Sequence, residues 1–269
     1  MLVLLTVLIP SLLMPEPNPQ ITDAMVLVAI FAAIFTSVEY GAVYPGLVEF
    51  RAAPPFNRVR FGTLAVMLVL ITLAVGDRPD PSSLSRLFAA VGNLLGQSLD
   101  LPFSPIRLVL WLLPEGTRLS DAHDVRTAAG LAYLIALVGL TIFSILIRLH
   151  SWPAPSGAFN VWINLPTFDP TAGADVVTRL KRDGAVNILL GILLPYLTPP
   201  IAAYIGRSNG ISMFDSDLML VWTISLWAFL PASLFLRGIA MRRLALMISM
   251  KRRRFEAESG LEDPAFLPA

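Results

Sequence analysis

Leu218-Met-Leu-Val-Trp-Thr-Ile-Ser-Leu-Trp-Ala-Phe-Leu-Pro-Ala-Ser-Leu-Phe-Leu236 is a run of 19 residues without a charge, and Arg237, Arg242, Arg243, Lys251, Arg252, Arg253 and Arg254 follow it. A helix of about 20 apolar residues crosses the roughly 30 Å hydrocarbon layer of a bilayer. Basic residues beside a span resist translocation, so this end is expected in the cytoplasm. Every other span takes its direction from this one.

Composition agrees. Hydrophobic residues make up 55% of the 269 residues and charged residues 14%, against about 25% charged in soluble domains. The expectation is an all-α, polytopic bundle of about six transmembrane helices, filling residues 1–255 as one domain. A net charge of +1, with the basic residues gathered beside spans, gives no nucleic-acid signal. The chain has no cysteine, which removes thiolate chemistry, disulfides and Cys-ligated metal.

Working outward, hydropathy places spans near 1–14, 24–44, 61–76, 127–147, 185–206 and 218–236. The first is short, and a five-span version with that segment lying in the interface is the alternative. Asp23 is read as the cap of the second helix, and Asp169-Pro170 as the start of the fifth, with a bend at Gly184. Residues 84–99 carry Leu84, Leu87, Phe88, Val91, Leu94 and Leu95 at helical spacing, and 106–113 repeats the pattern between prolines. Both segments are too short to span and form an amphipathic periplasmic cap, interfacial or re-entrant. Trp152, Phe159, Trp162 and Phe168 mark a loop expected on the membrane surface, where tryptophan anchors at headgroup level. Residues 256–269 read as a disordered tail. With this topology fourteen of the 20 Lys and Arg fall on the cytoplasmic side, as the positive-inside rule requires. The location that follows is a bacterial-type inner membrane, multi-pass, with the C-terminus cytoplasmic.

Candidate residues are few. Glu39 is the lone carboxylate inside a proposed span, with Tyr40 and Tyr44 beside it, and an intramembrane acid is a functional candidate by default. Its structural reading is an ion pair with Arg58 or Arg60. Asn187 is the other intramembrane polar candidate. Pro195, Pro199 and Pro200 remove backbone donors from the fifth span, which should kink or break there and release carbonyls that need a partner. Ala128, Ala132 and Ala136 form a small-residue row that lets another helix approach closely. Arg242, Arg243, Lys251, Arg252, Arg253 and Arg254 are placed against anionic lipid headgroups at the cytoplasmic face. His123 and His150 flank opposite ends of the fourth span and cannot share one metal or haem. Asp183-Gly184-Ala185 resembles the start of the CDP-alcohol transferase motif, but the aspartates that chemistry needs are missing from Val186 to Leu194.

No catalytic residue, metal or cofactor follows from these patterns. The expected role is a non-catalytic accessory, assembly or scaffold component of a membrane complex, in contact with lipid and with another membrane protein. The alternatives are a small-solute or ion transporter using Glu39 and the proline-kinked helix, and a lipid-processing enzyme using Asp100, Asp121, His123 and Asp124.

Overall fold

A computed structural model describes residues 1–15, 18–76, 80–149, 152–153, 159–169, 175–210 and 212–261. Every regular element among them is an α-helix: α1 Leu2–Leu13, α2 Pro19–Gly41, α3 Phe56–Val75, α4 Ser83–Leu99, α5 Pro105–Leu110, α6 Leu119–Leu149, α7 Val161–Asn164, α8 Val176–Asn209 and α9 Asp217–Leu261. Five of them, α2, α3, α6, α8 and α9, are long and apolar enough to cross a membrane. The chain is a multi-pass membrane protein. At 12 residues, α1 reaches only about 18 Å and falls short of a full span.

The local chemistry sets the helix ends. Asn18 caps α2 by accepting from the backbone N–H of Gln20 (3.0 Å) and Ile21 (3.3 Å), with Pro19 at the first helical position. The helix thus starts earlier than the expected Asp23 cap, because Asn followed by Pro is a stronger start. Asp175 caps α8 through the N–H of Thr178 at 3.0 Å. The expected start at Asp169-Pro170 runs into residues outside the described set. α8 passes Gly184, Pro195, Pro199 and Pro200 as one continuous helix and ends at Gly210, whose φ of 66° is left-handed. α9 continues as helix through Leu261, so residues 256–261 are not the disordered tail expected; 262–269 lie outside the described residues.

α6 is the central helix, with α3, α4, α5 and α9 packed on it; α8 lies on α9, α1 on α3, and α2 on α1. The bundle has two ends. At the basic end, Phe56 of α3 meets Phe143 of α6 with ring centroids 5.7 Å apart, and Gly184 of α8 opposes Gly238 of α9. Arg60, Arg148 and Arg237 lie there. The opposite end carries α5 and the C-terminus of α8.

Ala128 and Ala132 are fully buried and Ala136 is nearly so, within a core that also contains Met67, Leu68, Val221 and Ile224. The small row therefore packs against helices of its own chain. α4 docks by the same means. Its inward face is Ser85, Gly92 and Gly96, while Leu84, Leu87 and Leu94 point outward. A Cβ on Gly92 would lie 2.6 Å from the Thr127 carbonyl, and one on Gly130 would strike the backbone of Gly92 and Gly96. Helices approach this closely only where both lack side chains.

Candidate functional site

The most elaborate polar arrangement among the described residues sits at the basic end, where the α2–α3 loop meets α8 and α9. Glu49, in that loop, has a side chain only 10% exposed. Arg237 donates to it twice, Nε to Oε2 at 2.6 Å and Nη2 to Oε1 at 2.7 Å. The Thr167 hydroxyl donates to Oε1 at 2.9 Å. Arg237 Nη1 donates to Asn187 Oδ1 at 2.9 Å, and Asn187 Nδ2 donates to the Asp183 carbonyl at 2.7 Å. A planar guanidinium matched to a carboxylate in this two-pronged way fixes angle as well as distance. With Thr167, the arrangement ties four separate stretches of chain together.

A second clamp closes the same loop onto α2. The Glu39 carboxylate accepts from the backbone N–H of Gly46 (3.1 Å), Leu47 (2.9 Å) and Val48 (2.9 Å). In return Arg51 Nη1 donates to the carbonyls of Glu39 (2.8 Å) and Ala42 (2.6 Å) at the C-terminus of α2. A cation on the last carbonyls satisfies acceptors that a helix leaves open and meets the negative end of its dipole. The expected partners Arg58 and Arg60 are not the ones used. Tyr40 and Tyr44 are exposed, and the donors to this carboxylate are the backbone N–H groups of the loop and not their hydroxyls.

Beneath the clamps, Phe50, Phe56, Phe143 and Trp152 form a buried aromatic cluster with ring centroids 4.5–5.9 Å apart. The Trp152 indole donates to the Ala53 carbonyl at 3.1 Å, and Trp152 and Phe168 are 1% and 4% exposed. These two aromatics are packed inside, not anchored on a membrane surface, and the one polar group they carry, the Trp152 indole N–H, is met by a protein carbonyl instead of a headgroup. The side chain of Trp162 lies outside the described residues.

The proline-bearing stretch of α8 finds its partner on α9. Pro199 has no N–H, so the Pro195 carbonyl loses its helical donor. The Trp227 indole N–H supplies one at 3.3 Å. α8 stays helical because its neighbour closes the gap. Beside this contact lies an apolar cavity of about 90 Å³ bordered by Tyr133, Gly191, Trp227 and Phe235.

Of the tail residues, Arg242 lays its stem on Gly184, and Arg252 Nη1 reaches Asp175 at 2.6 Å. That arginine, with the Thr178 N–H, holds the Asp175 carboxyl below its ordinary value. Arg243 is half-buried, and Lys251, Arg253 and Arg254 are exposed.

The residues proposed for lipid chemistry are already engaged or apart. Asp100 is ion-paired with Arg107 (2.7 Å) and Arg126 (3.0 Å), and Asp121 with Arg118 (3.3 Å). His123 is exposed, and among the described residues no three His, Cys, Asp or Glu side chains gather as a metal site would need. His150 lies outside the described residues.

Protein-family models, curated proteins and solved structures give no match to this chain. The site must be read from its own geometry.

Glu49 and Arg237 form the buried ion pair that the sequence does not bring together, because they lie 188 positions apart. The available signal was that both flank apolar runs with opposite sign.

Proposed function

We propose that this protein is a non-catalytic accessory or scaffold subunit of a membrane complex, placed in a bacterial-type inner membrane with its C-terminus in the cytoplasm. The observation that carries this reading is α2. Only Ala29 of its 23 residues is buried, and it packs on the short α1. Leu27, Phe31, Ile34 and Val38 form one stripe, each at least 59% exposed. Yet its C-terminus is clamped by Arg51 and Glu39. A helix held rigidly at its end and bare along its length is presented to the membrane, and the occupant proposed is an apolar transmembrane helix of a different chain. Such helices associate by shape, so a fixed orientation lowers the cost of association.

Transport through Glu39 has less support, because that carboxylate is spent on three backbone N–H groups in a loop. The positive-inside count supports the orientation.

The test is photo-crosslinking in the native membrane with p-benzoyl-phenylalanine at Phe31 or Ile34, followed by purification in gentle detergent and mass spectrometry. A discrete adduct to one other membrane protein, co-purifying with the unmodified chain, is expected. Adducts to lipid alone, with the chain purifying by itself, would remove the scaffold reading.

A further inference from the structure

At the end of the bundle opposite the Glu49 lock, α5 leans against the last two turns of α8. Arg207 Nη2 donates to the Trp111 carbonyl at 3.1 Å, joining the two elements across a gap. On one side of that link lies a cleft of about 480 Å³ lined by Trp111, Pro200, Tyr204 and Arg207. A second cleft of about 270 Å³, whose lining includes Leu112, Leu113, Ala202 and Met213, adjoins it and shares Arg207 and Ala203.

Three residues that carry side-chain donors line the larger cleft. The remaining guanidinium N–H groups of Arg207, the Trp111 indole N–H and the Tyr204 hydroxyl have no protein partner among the described residues, and Trp111 and Tyr204 are 47% and 75% exposed. Arg207 directly follows the apolar stretch 185–206 of a helix long enough to span a membrane, the position from which a guanidinium reaches the headgroup layer. Tryptophan and tyrosine concentrate at that depth because one part of each ring is apolar and one part seeks a polar partner.

The geometry points to a binding site for a glycerophospholipid, its phosphodiester on Arg207, Trp111 and Tyr204 and an acyl chain along the second cleft. The charges match, since a guanidinium with free donors at headgroup depth faces the phosphate anion that every such lipid carries. Both clefts are lined mainly by apolar side chains with Arg207 common to the two, as a ligand with one charged group and long hydrocarbon chains requires. This site is separate from the basic tail, which lies at the other end of the molecule.

The test uses the full chain in detergent and native mass spectrometry with three probes: dioleoyl phosphatidylglycerol, dioleoylglycerol, which lacks the phosphate, and inorganic phosphate. The expected result is one retained phosphatidylglycerol, with retention falling about tenfold in Arg207→Gln, the effect of losing a charge-assisted hydrogen bond. A smaller fall is expected in Tyr204→Phe. Dioleoylglycerol and inorganic phosphate leave no adduct. Equal phosphatidylglycerol retention by wild type and Arg207→Gln overturns the site. Equal binding of dioleoylglycerol overturns the role of the phosphate, and Arg207-dependent binding of inorganic phosphate alone overturns the lipid. If Arg207→Gln does not elute as the wild type on gel filtration, Tyr204→Phe decides, because it removes a single exposed hydroxyl.

Discussion

Glu49 and Arg237 stand 188 positions apart and share a two-pronged ion pair of 2.6 and 2.7 Å at the edge of the bundle. Four stretches of chain meet at this contact, because Asn187 of α8 and Thr167 of the loop before it are hydrogen-bonded to its members. Removing one partner of a buried pair strands the other charge, which costs roughly 3–5 kcal/mol. The Arg237 side chain is 29% exposed, so the lower end of that range applies. Glu49→Gln is therefore expected to lower the thermal midpoint in detergent by roughly 5–10 °C. Glu49→Leu combined with Arg237→Met should recover much of it, since a packed apolar pair leaves no stranded charge. A Glu49→Gln midpoint equal to that of the wild type would show that water already screens the pair.

Trp227 completes a helix it does not belong to. Trp227→Phe leaves the Pro195 carbonyl without a donor and should cost about 1–3 kcal/mol. Pro199→Ala returns the missing N–H to that carbonyl. The loss from Trp227→Phe should accordingly shrink in the Pro199→Ala background, and a double-mutant cycle on thermal midpoints reads the coupling. Additive effects would mean that the indole contributes packing alone.

Two glycines should respond to the same substitution in opposite senses. Gly130→Ala drives a methyl group into the backbone of Gly92 and Gly96 and is expected to destabilise by about 1–3 kcal/mol as α4 is pushed off α6. Gly62, within α3, has nothing within 4 Å of where a Cβ would stand. Gly62→Ala should stabilise by about 0.5–1 kcal/mol, because alanine loses less backbone freedom on folding into a helix. The two variants, compared in one detergent, test whether close approach or helix propensity governs these sites.

The Asp175–Arg252 pair predicts a dependence on acid. Arg252 and the Thr178 N–H hold the Asp175 carboxyl below its ordinary value of 3.8. A depressed carboxyl contributes its stability in full above the unfolded value, and that contribution is lost as pH falls through the lower, folded one. Protection of the Thr178 amide, measured by mass spectrometry as exchange relative to the intrinsic rate at each pH, should therefore fall below about pH 4. Asp175→Asn should show the lower protection at neutral pH already. The pair is solvent-exposed, so the change stays local to the first turn of α8.

The five long helices were legible because apolar runs of bilayer length have few other readings, but their ends were not. Hydropathy reports the hydrocarbon layer, whereas α6 begins at Leu119 and α9 runs to Leu261, both well into polar sequence. Residue type alone also left direction open. Ala128, Ala132 and Ala136 could serve an inward or an outward seam, and Trp152 could anchor in headgroups or pack against Phe50; neighbours distant in sequence settled both. Asn187 stood out as a polar residue in an apolar helix, but the partner that gives it a role, Arg237, lies 50 positions later. The Glu39 carboxylate was visible too, and what it holds, a turn of backbone N–H groups, has no sequence signature.

α9 is 45 residues long, about 67 Å of unbroken helix, or roughly twice the thickness of the hydrocarbon layer. From Arg237 the axis carries Arg242 about 7 Å and Arg254 about 25 Å onward. The Debye length at physiological ionic strength is about 8 Å. Arg254 therefore stands about three Debye lengths along the axis from Arg237, beyond the reach of its charge through water. The rod thus carries a second group of positive charges, Lys251 to Arg254, electrostatically independent of the Glu49 lock at its base and tied to α8 by Arg252 and Asp175.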